Sequence, residues 1–282
     1  MNRAAKICKW LNRRFRKPIH PLNLREETGK SIAEWQFEKG PDTIKFYMPV
    51  ATPQEMFKDK VVLDIGCAAG GKTLFFASHG VKKIYGLEFL THYQKEADEL
   101  AQKLNLADRF EFLSANAEAL PFKDNSIDTI IMNDVFEHLD EPEICLREAL
   151  RVLCKGGRIY LNFPPYYHPF GAHLNDAIYM PWVHLFFSDS TLVDVYEDAV
   201  SSLPDGEERI ALRISKNKNG VKYFSYINKM TVKRARRIFR KMGLSPIYYR
   251  ESPLRPFLTV FTKIPILKEM FVKMVTCVLE KQ

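Results

Sequence analysis

Two hydrophobic patterns alternate through the middle of the chain, between about residues 58 and 163. Short apolar runs such as Val61–Ile65 end at glycine or other turn residues, as buried parallel strands do. The segments between these runs are typical of helices. This alternation predicts strands over 61–65, 83–88, 110–113, 128–132 and 158–163, and helices over 72–79, 91–104 and 141–153. Thr91 is expected to cap the second helix.

Strands that are separated by helices predict an α/β fold with a doubly wound, mostly parallel sheet. After Pro164 the alternation stops, because residues 166–187 are rich in aromatic side chains and residues 201–222 are loop-like. Helical spacing returns over 231–242, where Thr231 is the expected cap, and closing strands are predicted over 246–250 and 274–279. The sum is a Rossmann-like sheet of seven strands with helices on both faces and an inserted cap after the fifth strand.

The chain is expected to consist of one domain with an extension at its N-terminus. The predicted divisions are a basic helical extension at 1–49 and a domain at 50–282, which contains a core at 58–163, a cap at 164–230 and a closing helix and strands at 231–282. In a helix, Ala4, Ile7, Cys8, Leu11 and Phe15 would share one face, among lysines and arginines. Four interpretations stay open: a helix at the surface of an anionic membrane, a solvated helix that caps the fold, a disordered arm, and a transit peptide, although the segment contains no serine.

Composition narrows the classes of protein. The chain has 282 residues and a net charge of +8, and it contains no apolar run of the length that a membrane span needs. No signal peptide is recognisable, and the five cysteines form no pair with metal-ligand spacing. We therefore expect reduced thiols, no metal and a cytoplasmic location, with peripheral attachment to the inner membrane face as the alternative.

The turn after the first strand fits two incompatible motifs. Gly66-x-x-x-x-Gly71-Lys72-Thr73 matches a P-loop, whose backbone cradles nucleotide phosphates. The same stretch, from Leu63 to Gly70, matches the first loop of a methyl-transferring enzyme. The P-loop interpretation accounts only for its own eight residues and gives no role to Glu88.

Four motifs in order support the second interpretation. They are Leu63-Asp-Ile-Gly-Cys-Ala-Ala-Gly70, Glu88 at the end of the second strand, Ala115-Asn-Ala-Glu-Ala-Leu-Pro-Phe122 with Val135-Phe-Glu-His-Leu139, and Arg151-Val-Leu-Cys-Lys-Gly-Gly-Arg-Ile159. Over about residues 58–163 the chain thereby resembles the class I S-adenosylmethionine-dependent methyltransferases, especially the group called methyltransferase type 11. The two departures are Ala68, where the family has a glycine, and Asn116, where the family more often has an aspartate.

The resemblance implies that S-adenosylmethionine is the cofactor. Glu88 lies 22 residues after Gly66, close to the spacing of about 20 residues at which an acidic side chain binds ribose hydroxyls. Ala68 is tolerable in the turn if its φ is negative. Phe136 is expected at the cofactor edge. The residues expected to bind the cofactor are Asp64, Gly66, Cys67, Ala68, Gly70, Glu88, Phe89, Asn116, Ala117, Glu118 and Asn133.

Methyl transfer needs a general base only if the acceptor loses a proton. His138, His168 and His173 follow predicted strands and are the candidates, and the acceptor is expected to be a small molecule. A non-catalytic binding module of the same fold, a P-loop NTPase and an RNA methyltransferase are the alternatives. Nucleic acid is not the expected partner, since the basic cluster between Lys233 and Lys241 also has the apolar stripe of an ordinary surface helix.

Overall fold

A computed structural model describes residues 2–18, 20–23 and 29–282. Its strands are β1 (Val61–Ile65), β2 (Lys83–Glu88), β3 (Phe110–Ser114), β4 (Ile127–Asn133), β5 (Leu153–Phe163), β6 (Ile214–Lys216), β7 (Lys222–Phe224), β8 (Tyr248–Pro253) and β9 (Val272–Glu280). Its helices are α1 (Arg3–Asn12), α2 (Ile32–Ile44), α3 (Pro53–Phe57), α4 (Gly71–Ala77), α5 (Gln94–Lys103), α6 (Pro142–Val152), α7 (Val183–Phe186), α8 (Asp189–Val200), α9 (Gly206–Arg213), α10 (Val232–Lys241) and α11 (Pro265–Phe271). Short 3-10 turns cover Pro21–Asn23, Thr91–Tyr93, Pro256–Leu258 and Phe261–Lys263.

The described residues form two compact units. The sheet unit comprises those within 24–163, 233–252 and 274–282, and the second unit comprises those within 1–23, 164–232 and 253–273. This division falls at residue 23 rather than at the predicted boundary of 49, because α2 packs against α4 within the sheet unit. Residues 1, 19 and 24–28 of the predicted extension lie outside the described residues.

The sheet has seven strands in the order β3-β2-β1-β4-β5-β9-β8, and the prediction of a mostly parallel α/β sheet is confirmed. Strands β1 to β5 run parallel, and β9 pairs with β5 in the antiparallel direction. Apolar side chains on both faces hold the central strands, and Leu63 and Ile130 are fully buried. Chain order reverses between β1 and β4, so the ligand crevice of such a sheet lies at their carboxyl ends.

Two boundary predictions in the sheet unit were wrong. Thr91 does not cap α5, since it begins a 3-10 turn and the residue before α5 is Tyr93. Strand β5 begins at Leu153 rather than at 158, because Leu153 already pairs with Ile127 and the strand continues through a register shift. The glycines at 156 and 157 therefore lie inside a strand rather than ahead of it.

Helix α1 packs within the second unit, against α8. Its buried residues are Ala5 and Cys8, whereas Ala4 and Ile7 of the predicted apolar face are exposed. The helical spacing was right, but the buried stripe is displaced because the contact with α8 selects the small side chains. At the end of the helix the Asn12 side chain donates to Ala177 O (3.0 Å) and accepts from Tyr179 N.

An ion-pair cluster occupies the interior of the second unit. The Asp176 side chain is fully buried, 3.2 Å from Arg213 Nη2 and 3.6 Å from Arg209 Nη1, and it accepts a hydrogen bond from Tyr196 Oη (2.7 Å). These arginines belong to α9, which lies in a region that the sequence predicted to be loop-like. The buried face of α9 is charged rather than apolar, so hydrophobic spacing did not indicate it.

The aromatic stretch 166–187 is mainly irregular and contains α7, and β6 and β7 form a separate two-stranded sheet. Among the described residues, no helix combines the length and the hydropathy that crossing a bilayer requires.

Candidate functional site

The turn between β1 and α4 depends on two glycines. Gly66 has φ 77° and Gly70 has φ 74°, a left-handed backbone that favours glycine. A Cβ on Gly66 would lie 2.5 Å from Val135 Cγ2, and one on Gly70 would lie 2.9 Å from Ala97 Cβ. The turn therefore requires both glycines for conformation and for space, and it exposes its backbone to close approach by a ligand.

Ala68, within the same turn, has a backbone conformation that differs from the expected one. Its φ is +46°, so the negative φ expected for an alanine at this position is wrong. An L-residue in this region carries strain of about 1–2 kcal/mol. The Ala68 N–H donates to Glu88 Oε2 (3.0 Å), which holds the strained turn in place.

Glu88 ends β2 beside this turn. Its Oε1 accepts from the backbone N–H groups of Phe89 (2.8 Å) and Leu90 (3.0 Å), in addition to the Oε2 bond with Ala68. A carboxylate offers about four acceptor sites. Three are thus used to fix the two loops, and one acceptor site is left for a ligand hydroxyl.

Asp64 lies near the end of β1, the strand next to β2 toward the centre of the sheet, and is buried. Thr73 Oγ1 donates to Asp64 Oδ2 (2.5 Å). Burial raises the pKa of Asp64 to about 7, against the opposing effects of the Thr73 hydrogen bond and the Lys72 charge. The carboxyl group can therefore change its charge near neutral pH when a cation arrives.

The residues that match the P-loop motif use their donor groups in contacts within the protein. Thr73 is buried and donates its hydroxyl to Asp64, and Lys72 Nζ lies 3.3 Å from Asp134 Oδ2. The Gly71 N–H donates to Gln36 Oε1 (3.2 Å) of α2, and a Cβ on Gly71 would lie 1.9 Å from the Ala33 carbonyl oxygen. A phosphate cradle needs these donors free, so this loop cannot serve as one in the observed fold.

The loop after β3 carries three of the predicted residues. Asn116 is exposed, and its Oδ1 accepts from the Glu118 N–H (2.9 Å), which makes a turn of the kind that asparagine favours. Ala117 is buried, and Glu118 Oε1 accepts from the Glu141 N–H (3.1 Å). The turn thus fixes the backbone of residues 116–118 near the carboxyl end of β3.

A buried polar triad lies at the carboxyl ends of β4 and β5. Asn133 Oδ1 accepts from Tyr47 Oη (2.6 Å) and from Asn162 Nδ2 (2.7 Å), and the same Asn162 Nδ2 lies 3.0 Å from Tyr47 Oη. Asn133 is 8% exposed, and its own Nδ2 is buried without a hydrogen-bond partner among the described residues. An unsatisfied buried donor is costly, so this amide suits a ligand acceptor.

Sequence reasoning missed Tyr47 and Asn162. Asn162 could have been found, because it is a polar residue inside an apolar strand that ends at the ligand edge. Tyr47 follows α2 at a distance of 86 residues from Asn133, and no sequence signal joins the two.

The two phenylalanines near this edge differ in exposure. Phe89 follows Glu88 and is 75% exposed. Exposure of a large apolar ring to water is unfavourable, so a ring in this position beside a candidate site suits contact with a ligand. Phe136, which was expected at the cofactor edge, is instead fully buried between the rings of Phe163 and Phe239. It belongs to the core.

The candidate bases belong to different units. His138 lies in the sheet unit, where its Nε2 is 4.0 Å from Glu137 Oε1. His168 and His173 lie in the second unit. His168 Nδ1 accepts from the Phe170 N–H (3.2 Å), and burial lowers the pKa of His168 to about 4. His173 has φ 53°, and its carbonyl accepts from Arg213 Nη1.

These groups fit a ligand that has hydroxyl and ammonium groups, a ring system and a hydrogen-bond acceptor. The carboxylates of Glu88 and Asp64 can accept hydrogen bonds, and the glycine turn admits close approach. The Phe89 ring is largely exposed, and Asn133 Nδ2 has no hydrogen-bond partner in the part of the chain that the structure describes. The sheet order, the glycine turn after β1 and the acidic end of β2 are those of the class I S-adenosylmethionine-dependent methyltransferase fold.

Comparison with known proteins leads to the same class. Residues 63–161 match the family model described as a methyltransferase domain. Residues 63–161 thus form part of a methyltransferase domain, and its cofactor is S-adenosylmethionine.

Two curated relatives share this part of the chain. Tocopherol O-methyltransferase of Arabidopsis thaliana is 31% identical over 112 residues, which are 40% of this chain and 32% of that protein. Protein arginine N-methyltransferase 2 of Dictyostelium discoideum is 28% identical over 169 residues, which are 52% of this chain and 32% of that protein. The chain spans about a third of the length of these two relatives.

The fold has relatives among solved structures. A structure titled geranyl diphosphate methyltransferase in complex with S-adenosylmethionine has a TM-score of 0.52 and 13% identity, covering 87% of this chain and 85% of that one. At this identity the likeness concerns the fold alone.

Proposed function

We propose that this protein transfers a methyl group from S-adenosylmethionine to a small-molecule acceptor. The observation that carries the proposal is that three features lie at the carboxyl ends of neighbouring strands: the glycine turn, the Glu88 carboxylate and Asn133 Nδ2, a buried donor without a partner among the described residues. When bound, the cofactor supplies a methyl group that its sulfonium already activates. The work of this chain is therefore to bind and to orient, which can contribute about 7–11 kcal/mol to catalysis.

Each predicted cofactor residue has a role in this proposal. Glu88 binds ribose hydroxyls through its remaining acceptor site, and Asp64 balances the positive charge of the cofactor. The turn residues Gly66, Cys67, Ala68 and Gly70 provide backbone at close range. Phe89 covers one face of the adenine ring, and the loop Asn116, Ala117 and Glu118 binds its edge.

Asn133 donates from Nδ2 to an acceptor oxygen of the bound cofactor. Tyr47 and Asn162 act as positioning residues, because both donate to Asn133 Oδ1 and thereby fix which end of the amide faces the ligand. Without these two donors the amide could rotate by half a turn and present an oxygen instead.

The chain needs a base only for an acceptor that loses a proton. A neutral imidazole has one acceptor nitrogen, and in His168 that nitrogen accepts from the Phe170 N–H. That hydrogen bond assigns His168 to its loop. His138 and His173 remain the residues that we propose for the role of base, where one is required. A histidine base predicts that turnover, but not cofactor affinity, falls on change to alanine.

We infer that the acceptor is a small molecule in the broad sense that includes lipid-linked, glycan and secondary-metabolite groups. The support is the likeness to a tocopherol O-methyltransferase. The other relative is named as an arginine N-methyltransferase, so the proposal covers oxygen and nitrogen acceptors alike. Comparing S-adenosylhomocysteine release across a panel of hydroxyl and amine acceptors would identify the atom.

Helix α1 is proposed as a peripheral contact with an anionic membrane. It leaves Trp10 exposed beside basic side chains, and Arg14 Cζ lies 4.2 Å from the Trp10 ring centroid. A basic helix with an exposed tryptophan is typical of interfacial helices. Trp10→Ala should lower the fraction of protein that sediments with phosphatidylserine vesicles, and an unchanged fraction would contradict this contact.

Calorimetric titration tests the proposed function. We expect S-adenosylmethionine to bind with micromolar affinity and Mg-ATP not to bind. Glu88→Ala should weaken binding of the methyl donor at least about tenfold, because hydrogen bonds to a charged acceptor contribute about 1.5–3 kcal/mol. Glu99→Ala, which removes an exposed carboxylate from α5, is the matched control and should bind normally. Binding of Mg-ATP alone would overturn the proposal.

A further inference from the structure

Three large apolar side chains of the second unit are exposed close together in sequence. Phe257 is 77% exposed, Val260 57% and Ile264 41%. Phe257 and Val260 are three residues apart, the spacing that aligns side chains in a 3-10 turn, and Ile264 directly follows the second of the two turns at 256–258 and 261–263. We call these three side chains the apolar ridge.

Two hydroxyl groups and five backbone N–H groups of this segment bond within it. Thr259 Oγ1 donates to Pro256 O (2.6 Å) and Thr262 Oγ1 donates to Thr259 O (2.7 Å). The backbone N–H groups at 258, 259, 262, 263 and 264 also bond to carbonyls within residues 255–261. Burying a polar group is costly unless it is hydrogen-bonded. The segment can thus enter an apolar environment without first finding new partners for these groups.

The segment is held at its base. The Phe261 ring stacks on Phe271 with centroids 4.9 Å apart, and the Trp182 ring lies 6.1 Å from the same phenylalanine. The Leu254 N–H donates to Phe271 O (2.9 Å). The ridge therefore projects from a packed aromatic base and does not replace a missing core.

The charged side chains within this segment are all basic. Residues 252–268 contain no Asp or Glu, and Arg255 and Lys263 are exposed beside the ridge. Basic side chains next to an apolar insertion are attracted to the anionic lipids of a membrane surface.

We propose that residues 255–264 dock this protein on an anionic lipid bilayer, with the apolar ridge at the boundary between headgroups and acyl chains and with Arg255 and Lys263 among the phosphates. A protein partner is the weaker choice, because a standard interface buries about 800 Å² on each side over roughly 20–30 residues. Three side chains fall well short of that area. This surface is separate from α1 and does not depend on the proposed methyl transfer.

Co-sedimentation with vesicles tests this docking surface. The full chain should bind vesicles that contain phosphatidylcholine with phosphatidylserine, and bind those of phosphatidylcholine alone more weakly. Combined Phe257→Ser, Val260→Ser and Ile264→Ser should lower the bound fraction at least about tenfold, as loss of the inserted apolar side chains requires. Arg255→Gln with Lys263→Gln should lower binding to the anionic vesicles only.

Matched control variants distinguish binding through this surface from nonspecific binding of the protein to vesicles. Met48, Ile144 and Val221 are exposed apolar residues elsewhere, and changing them to Ser should leave vesicle binding unchanged. Lys216→Gln with Lys218→Gln is the charge control. An unchanged far-UV circular dichroism spectrum and an unchanged midpoint of urea unfolding in the ridge variant would show that it folds.

Two results would overturn the docking surface. One is full vesicle binding by the folded ridge variant. The other is a concentration-dependent dimer in sedimentation velocity that the ridge substitutions abolish, which would assign the ridge to a second copy of the chain. Loss of cofactor binding by Glu88→Ala, with vesicle binding intact, keeps the two proposals distinguishable.

Discussion

The two units bury polar groups in different places. In the sheet unit the buried polar side chains of the candidate site, Asp64, Asn133 and Asn162, lie on β1, β4 and β5, toward their carboxyl ends. In the second unit the buried charges lie in the interior, where Asp176 meets Arg209 and Arg213. A polar group at the end of a strand is available to bind a ligand, whereas a charge in the interior has to be paired for the unit to fold.

This difference predicts different outcomes for loss of a polar group. In the sheet unit, changes at the strand ends should affect binding while the fold persists, because the apolar strands continue to hold the sheet. In the second unit, a change in the ion-pair cluster should unfold the unit. The predictions below follow from the largest expected effect to the smallest.

Asp176→Ala should have the largest effect on stability. The change leaves two buried guanidinium groups without the carboxylate between them, and breaking a buried pair in this way costs about 3–5 kcal/mol. The midpoint of urea unfolding, followed by circular dichroism, should fall markedly. Asp108→Ala, an exposed aspartate, is the control and should leave the midpoint unchanged. A small effect at Asp176 would mean that the cluster does not hold the unit.

Asp64 should make stability depend on pH. Its pKa is raised from 3.8 to about 7 in the folded protein, so between these values the unfolded chain has released a proton that the folded chain retains. Its contribution to the free energy of unfolding therefore falls as pH rises through this window, by at most about 1.4 kcal/mol per pH unit. Asp64→Asn should remove that slope, which denaturation series at several pH values would detect.

The same titration should appear in cofactor binding. A bound sulfonium cation favours the ionised Asp64 carboxyl, so binding near pH 6 should release a proton and affinity should increase toward pH 7. Calorimetry in buffers of different ionisation enthalpy measures that proton. Proton release of the same size in Asp64→Asn would contradict the assignment.

Tyr47→Phe should weaken cofactor binding and should also lower the free energy of unfolding by about 0.5–1.5 kcal/mol, because the lost hydrogen bond exists in the free protein. The change removes the hydroxyl that donates to Asn133 Oδ1, and a typical hydrogen bond contributes about 0.5–1.5 kcal/mol. We expect a loss of affinity of about three- to tenfold. Tyr223→Phe, an exposed tyrosine of β7, is the control. An unchanged affinity in Tyr47→Phe would remove the positioning role.

Ala68→Gly should give the smallest effect, and one of opposite sign. Glycine adopts the observed φ of +46° without the strain of an alanine. The gain should be about 1 kcal/mol in stability or in cofactor affinity. Ala119→Gly, in the exposed loop after β3, should show no such gain. A loss in Ala68→Gly would mean that the alanine methyl group contacts the ligand.

Sequence reasoning succeeded where apolar periodicity carried the structure. The limits of β1 and β2, the mostly parallel sheet and the position of Glu88 at the end of β2 followed from short apolar patterns and from a local turn. It failed at α9, whose buried face consists of Arg209 and Arg213, and at Tyr47, which reaches Asn133 only through the folded chain. Contacts between charged side chains, and contacts between segments that are distant in the sequence, produce no local periodic pattern of apolar residues from which they could be predicted.

Hydrogen–deuterium exchange of the full chain, with and without S-adenosylmethionine, tests the central claim most directly. The account predicts slower exchange on binding at the glycine turn over 64–70, at 88–90 after β2, at 116–118 and at the end of β4 around Asn133. Mg-ATP should protect none of these amides. Protection confined to other segments, or protection of 66–73 by Mg-ATP, would contradict a methyl-donor site at this edge of the sheet.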